Sequence, residues 1–404
     1  MKFLFAKQDQ EVSALNGLRA FSIFLVIFYH FWHNVNQNHL LRLDEELVSN
    51  LLYNLRSGVD LFFILSGYLI YGGILKEKEQ NGSFDVKRFY LKRTLRIMPA
   101  YYFCLFITYL YAKSMLGYYN QFPSLNETQL AAKEVALNNL AYSWTDIFYI
   151  SNYFDYRLFQ FGWSLSIEEQ FYLVIPSLCL LLLFKVREET RRILILILFF
   201  LPMIVRALYY LIEMPTESVY IQTETRFDTI VVGMLIAEFV SWKPSFFQER
   251  RLSVRFSLSL ISLVFLSLAF LTDRKGLGVI FNFTYFHLGY SAAFLLALTQ
   301  GSIWNKFLGL SIFRPFARIS YTMYLWHIPC TAMALKIFLG TKPPEQLEWP
   351  IFIAAGFFAI LVSFLICIPI FYLTERPFLA LRDFILKKAE KSPLPRLDHS
   401  LELH

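Results

Sequence analysis

Two ionisable side chains, Arg19 and His30, lie eleven residues apart in the first long apolar stretch of the sequence. Eleven residues make about three helical turns, so a helix would place both side chains near one face and about 16 Å apart along its axis. Imidazole is the natural base at neutral pH, and it could accept the proton of a hydroxyl group that attacks a thioester. The other interpretation is a histidine hydrogen-bonded to a neighbouring helix, and the spacing leaves both open.

A second pair of interest is Arg93 and Arg96, which are three residues apart and therefore share a helix face. Guanidinium forks suit the phosphates of coenzyme A. The alternative is that these arginines belong to a basic cluster that sets membrane topology and contacts lipid headgroups.

Three polar residues in a row, Glu168, Glu169 and Gln170, open another apolar stretch. Two adjacent acids at a membrane boundary are not lipid-facing residues, so they predict a polar cavity or cationic partners. Arg226 and Arg19 are the candidate partners.

Further ionisable residues lie within apolar stretches, where each is costly and therefore a candidate for a substrate or polar-interior role. Asp60 needs a partner, and the Ser66-Gly67 step after it allows close helix approach. Arg226 and Asp228 present another internal pair. His327 lies in an aromatic stretch, which favours structural hydrogen bonding.

The elements that must position these residues are membrane spans. Of the 404 residues, 56% are hydrophobic and 17% are charged, whereas soluble chains have about 45–50% and about 25%. A span needs about 20 apolar residues, and the sequence predicts ten of them. They are 13–34, 57–75, 97–117, 161–184, 193–212, 225–241, 256–272, 278–299, 318–339 and 350–373. Lipid requires closed backbone hydrogen bonding, so the predicted fold is an all-α polytopic transmembrane helix bundle.

Most basic residues fall in alternate loops, which predicts that both termini are cytoplasmic. The net charge of +7 therefore reflects topology, and no nucleic-acid partner is expected. The predicted domains are a transmembrane domain over 1–385 and a disordered cytoplasmic tail over 386–404. The four cysteines have neither disulfide nor zinc spacing, and no metal is expected.

Several motifs in order resemble the acyltransferase 3 family of integral-membrane enzymes, over about 13–380. The chain opens with LNGLRA and YH, where Asn16 stands in place of the family's aspartate. The motifs that follow are GVDLFFILSGYL, the Arg93/Arg96 pair, WSLSIEEQFYL, RFD, SYTMYLWH and ERPF.

The resemblance implies transfer of an acyl group, commonly acetyl, from acyl-coenzyme A (acetyl-CoA) to a carbohydrate or glycolipid. His30, Arg19 and Glu168 match the family's catalytic positions, and Arg93 and Arg96 match its donor-site motif. It also implies a multi-pass protein of the bacterial inner (cytoplasmic) membrane, in the stand-alone form that lacks a hydrolase-like domain. Acceptors left open are lipopolysaccharide, capsule or exopolysaccharide sugars, lipid-linked intermediates and small glycosides.

Two other classes remain as alternatives. A transporter or flippase for a lipid-linked glycan also fits ten spans with internal charges, but it would release no coenzyme A thiol. A non-catalytic scaffold fits less well, because buried Arg, His, Asp and Glu cost energy without a use or partner.

Overall fold

The structure, a computed structural model, describes residues 2–7, 11–37, 40–41, 46–248, 251–340 and 346–391. Among these residues the regular secondary structure is helical and no β-strand occurs, which confirms the all-α class. The α-helices are α1 (Lys2–Phe5), α2 (Ser13–Gln37), α3 (Glu46–Asn54), α4 (Gly58–Asn81), α5 (Val86–Tyr119), α6 (Glu127–Ala141), α7 (Ser143–Ile147), α8 (Gly162–Leu178), α9 (Glu188–Leu211), α10 (Thr216–Ile221), α11 (Phe227–Trp242), α12 (Leu252–Leu271), α13 (Gly278–Leu298), α14 (Ile303–Leu308), α15 (Phe313–Leu339), α16 (Trp349–Thr374) and α17 (Arg376–Lys391).

Eight helical segments in the described part of the chain are long and apolar enough to cross a membrane. They are Ser13–Gln37, Glu46–Asn81, Val86–Tyr119, Gly162–Leu183, Glu188–Leu211, Leu252–Leu271, Gly278–Leu298 and Trp349–Thr374. Each coincides with one of the predicted spans, so the protein is an integral multi-pass membrane protein.

The remaining two predicted spans, 225–241 and 318–339, coincide with α11 and α15, which fall outside this set of eight. Helix α11 has 16 residues and is therefore about 24 Å long, shorter than the roughly 30 Å hydrocarbon core. Helix α15 is long enough, with 27 residues, but it carries Arg314, Arg318 and Lys336. Helix α11 packs on α4, and α15 packs against α2 and α16. Both helices therefore meet other helices over much of their surface.

Helices α4 and α11 approach each other at two glycines, as the Ser66-Gly67 step predicted. A Cβ atom at Gly67 would lie 2.0 Å from the carbonyl oxygen of Ile230, and one at Gly233 would lie 2.2 Å from that of Ile64. Only glycine lets these two backbones touch, and their contact fixes Asp60 beside the start of α11.

Two buried ion pairs connect the start of α11 to neighbouring helices. Arg226 donates to Asp60 at 2.8 Å, and Arg206 of α9 lies 2.8 Å from Asp228. The predicted internal pair of Arg226 with Asp228 is therefore wrong, because residues two apart do not face each other on a helix. Arg226 is likewise not the partner of the glutamates of α8.

The segment between α5 and α8 folds against the bundle through Asp146. Its carboxylate accepts a hydrogen bond from the backbone N–H of Leu158 at 2.8 Å, and its backbone oxygen accepts one from the hydroxyl of Tyr101 at 2.9 Å. Burial raises the pKa of Asp146 to about 6. Shortly after this anchor, Phe161 packs against the rings of His30 and His327.

The end of the chain differs in part from the predicted boundary at 385. Residues 386–391 belong to α17, so the last helix continues into the predicted tail. Residues 392–404 lie outside the described residues.

Candidate active site

A cavity of about 270 Å³ lies among α2, α4, α5, α8 and α15. It is lined by Arg19, Arg93, Arg96 and Glu168, and we call it the arginine cavity. In the described part of the chain, none of its three guanidinium groups has a carboxylate oxygen within 4 Å; the ion pairs found there join other residues. Three cations and one carboxylate make this cavity suited to an anionic ligand.

Glu168 is held in the arginine cavity by a tyrosine one helical turn further along α8. The hydroxyl of Tyr172 donates to Oε1 of Glu168 at 2.5 Å, and it shares a second hydrogen bond of 2.6 Å with Ser66 of α4. The guanidinium carbon of Arg93 lies 5.7 Å from the centre of the Tyr172 ring. The i, i+4 spacing of Glu168 and Tyr172 brings these two side chains together. Their hydrogen bond holds the carboxylate in place without an ion pair to an arginine.

A second cavity, of about 580 Å³, lies near the other end of α2. It includes His30, Arg56, Tyr220 and Glu217 in its lining, and we call it the histidine cavity. The imidazole of His30 contacts three other rings, with centroid distances of 4.8 Å to Tyr29, 5.1 Å to Phe161 and 4.8 Å to His327. It makes no hydrogen bond to another described residue, so its nitrogen atoms are available to a molecule in the cavity.

His327, predicted as a structural histidine, lies fully buried against His30. Its Nδ1 is 2.6 Å from the carbonyl oxygen of Tyr324. A carbonyl only accepts, so Nδ1 carries the proton and Nε2 keeps its lone pair. Within the described residues this buried Nε2 has no partner. The carbonyl oxygen of Tyr324 thus fixes the tautomer of His327, and this second imidazole lies close to His30.

The two cavities are separated by a thin wall. Val59 of α4 and Tyr324 of α15 line both of them. The hydroxyl of Tyr324 bonds to the hydroxyl of Ser164, which holds the ring in place. Arg19 and His30 therefore lie in different cavities, about 16 Å apart along α2, with one layer of side chains between those cavities.

The remaining predicted site residues lie outside both linings. Gln170 joins the loops before α8 and α11: its amide donates to Tyr149 O at 2.8 Å and accepts from the Thr223 hydroxyl at 2.6 Å. Glu169 is half-buried next to it, and its Oε1 has no partner in the described part of the structure. Asp60, Arg226 and Asp228 are occupied by the ion pairs described above.

Sequence reasoning missed several buried arginines, among them Arg206, Arg56 and Arg274. Arg206 lies inside the predicted span 193–212. A charged residue at such a position could have been recognised as a candidate from the sequence. Arg56 directly precedes a predicted span and resembled a topology-setting charge, although it lines the histidine cavity. Arg274 falls in a loop of the sequence, yet it is 4% exposed and donates to Asn54 at 2.9 Å.

The described membrane helices thus surround two polar cavities, one rich in arginine and one containing histidine. The family profile described as an acyltransferase domain matches residues 12–368. The chain belongs to this acyltransferase family.

Relatives of the chain carry more specific names. The chain is 28% identical to "O-acetyltransferase OatA" of Staphylococcus aureus over 355 residues, which cover 82% of this chain and 52% of that protein. It is 27% identical to "Peptidoglycan O-acetyltransferase OatA" of Listeria monocytogenes over 358 residues, covering 82% of this chain and 51% of that protein. "Putative peptidoglycan O-acetyltransferase YrhL" of Bacillus subtilis is 26% identical over 370 residues, or 86% and 51% of the two chains. The chain thus spans about half the length of these relatives. No solved structure matches it.

Proposed function

We propose that the protein is an O-acyltransferase that moves an acetyl group from acetyl-CoA to a hydroxyl of a carbohydrate across the wall between the two cavities. The observation that carries this proposal is the pair of cavities near opposite ends of α2, with Val59 and Tyr324 common to both. The names of the relatives, all O-acetyltransferases, agree with it. A peptidoglycan sugar is therefore one acceptor among the cell-surface and lipid-linked glycans proposed for this chain.

The donor binds in the arginine cavity. Its phosphates carry several negative charges, and Arg19, Arg93 and Arg96 offer guanidinium groups that no carboxylate neutralises. Arg93 and Arg96 lie near the start of α5, where the chain enters the bundle. The phosphates bind at this end, and the pantetheine arm carries the thioester toward Val59 and Tyr324.

The acceptor binds in the histidine cavity, and His30 acts as the base. A ring nitrogen of His30 takes the proton from the acceptor hydroxyl, and the oxygen forms a bond to the thioester carbonyl carbon. The carbon–sulfur bond breaks, and the leaving thiolate takes up a proton, so that free coenzyme A and an ester are formed. In a two-step version a ring nitrogen of His30 first attacks the thioester carbonyl carbon and releases the thiolate, and the acceptor hydroxyl then attacks the acyl-imidazole, which forms the ester and frees His30. The ring of His327, oriented by the contact of its Nδ1 with the carbonyl oxygen of Tyr324, lies directly beside His30.

The two cavities also define the sides of the membrane in this proposal. The donor cavity faces the cytoplasm, where acetyl-CoA is made, and the acceptor cavity faces the outside of a bacterial inner membrane. Both termini are then cytoplasmic, and α11 and α15 complete the ten passes.

The experiment is an acyl-transfer assay with the purified protein, acetyl-CoA and a panel of carbohydrates. Thiol release is followed by colorimetry, and the acceptor is examined by mass spectrometry for the mass of one acetyl group. We expect both signals in the wild type and a loss of about 10²–10⁴-fold in His30→Gln, with an unchanged melting temperature in detergent. Full activity in a folded His30→Gln variant would remove His30 from the mechanism, and absence of thiol release with every acceptor would contradict the enzyme proposal.

A further inference from the structure

The histidine cavity contains a buried cation that the transfer mechanism does not use. Arg56 belongs to the short 3₁₀ turn between α3 and α4, is 6% exposed, and lines the cavity together with His30. Its guanidinium carbon lies 3.9 Å from the centre of the Tyr53 ring and 3.6 Å from that of Tyr220. The two aromatic rings therefore hold the guanidinium group in place through cation–π contacts.

This guanidinium lacks an anionic partner among the residues that the structure describes. No carboxylate oxygen lies within 4 Å of it, its Nε is buried without a hydrogen bond, and its side chain donates to no described residue. Glu217 lines the same cavity but is an exposed residue outside ion-pair distance. A buried, unpaired cation is costly. Because Arg56 lies in the cavity wall, an anionic ligand bound in the cavity would offset this cost.

The surroundings of Arg56 add to its positive field. The ring of Tyr220 contacts two more buried arginines, with the guanidinium carbon of Arg226 at 4.8 Å and that of Arg274 at 5.2 Å from its centre. Arg226 is paired with Asp60, and among the described residues the one side-chain hydrogen bond of Arg274 goes to the neutral amide of Asn54. Three arginines thus surround one tyrosine, and in the described part of the structure one of them, Arg226, has a carboxylate within ion-pair distance.

From this arrangement we infer that the acceptor carries an oxyanion, a phosphate or a carboxylate, that binds Arg56 while its hydroxyl faces His30. This inference rests on the proposed function and specifies its substrate class. Guanidinium groups bind both oxyanions through paired N–H donors, so the shared chemistry covers two sources. One is the phosphate of a lipid-linked sugar, and the other is the carboxylate of an acidic sugar.

The test compares three ligands of one glycan series in binding and in acetylation: a neutral oligosaccharide, the same oligosaccharide with one uronic-acid carboxylate, and its lipid diphosphate. Binding is measured in detergent without donor. We expect at least one anionic ligand to bind the wild type about 10- to 100-fold more tightly than the neutral one, as charge-assisted hydrogen bonds imply. Arg56→Gln should abolish that preference, and Arg56→Lys should keep part of it. Lys336→Gln, which removes an exposed charge outside the cavity, should leave the preference intact.

The outcomes separate this inference from the proposed function. Equal binding of neutral and anionic ligands by the wild type overturns the anion site even where acetylation proceeds, and this comparison requires no variant to fold. A preference that survives in Arg56→Gln also overturns it. Preferential anion binding that depends on Arg56, without thiol release from acetyl-CoA, supports the anion site and contradicts the acyltransferase proposal. A stronger response to the lipid diphosphate identifies phosphate as the source, and one to the uronic acid identifies carboxylate.

Discussion

Removing charge from the arginine cavity gives the sharpest prediction about the donor. Arg93 and Arg96 line the cavity without a carboxylate within 4 Å in the described structure, so each is free to bind a phosphate. A charge-assisted hydrogen bond contributes about 1.5–3 kcal/mol, which corresponds to about 10- to 150-fold in a dissociation constant. We expect Arg93→Gln and Arg96→Gln each to weaken acetyl-CoA binding by such a factor. The double variant should lose less than the product, because both side chains face one ligand.

The assay is calorimetric titration of acetyl-CoA into purified protein at low and high salt. Added salt should weaken wild-type binding more than binding by the double variant, because screening acts on charges that the variant lacks. Lys87→Gln is the matched control, since it removes an exposed charge from the same helix outside the cavity. Melting temperatures should not fall in the arginine variants, because the lost cations had no ion pair. Unchanged donor affinity in both variants, or an equal loss in Lys87→Gln, would refute a donor site in this cavity.

Three further predictions concern the scaffold. Asp60→Asn leaves Arg226 buried and unpaired, so we expect the free energy of unfolding to fall by about 3–5 kcal/mol. The double change Asp60→Asn with Arg226→Gln should recover part of this loss. An Asp60→Asn variant as stable as the wild type would contradict the pairing. Gly67→Ala should lower the melting temperature, because its Cβ would meet the backbone of α11. Gly73→Ala on the same helix is the control and should leave the melting temperature unchanged, because nothing lies within 4 Å of its Cβ. Equal melting temperatures of the two variants would argue against the close contact of α4 and α11. The pKa of Asp146 is raised from its ordinary 3.8 to about 6. Its stabilising contribution is therefore present below about pH 4 and is lost as pH rises through 6. In thermal melts the wild type should lose stability over this pH range relative to Asp146→Asn, and identical pH profiles of the two proteins would contradict this assignment.

The helical membrane fold could be predicted from sequence because an apolar stretch of about 20 residues matches the thickness of the hydrocarbon core when it is helical. The predicted spans coincide with helices even where the structure surrounds a helix with protein, as for α11. Hydropathy cannot distinguish a helix that contacts lipid from one that contacts its neighbours. The predicted count of ten exceeds the eight helices of sufficient length and hydropathy because α11 is short and α15 is less apolar.

The site could be predicted only in part, because helix periodicity relates residues within one helix and not between helices. Arg93 and Arg96 share a face by spacing alone, and the structure places both in one cavity. Their grouping with Arg19 and Glu168, and the separation of Arg19 from His30, depend on how α2, α5 and α8 pack. The same limit explains why Arg226 pairs with Asp60 and not, as predicted, with Asp228.

Side chains outside the predicted spans were the hardest to predict. Arg56 owes its environment to Tyr53, three residues earlier, and to Tyr220, which follows more than 160 residues later. A sequence pattern contains no signal for such a contact, because it arises from tertiary packing. A charge beside a span therefore has two interpretations, and burial decides between them.

The most direct test of transfer between the two cavities uses sealed vesicles that contain the purified protein. Acetyl-CoA is supplied outside only, and the best neutral or acidic soluble acceptor is placed either inside or outside. External donor reaches only molecules whose arginine cavity faces outward, so their histidine cavity faces the lumen whatever the mixture of orientations. We predict acetylated acceptor when it is enclosed in the vesicles and none when donor and acceptor are both outside. Acetylation of the external acceptor at a similar rate would contradict transfer through the wall of Val59 and Tyr324.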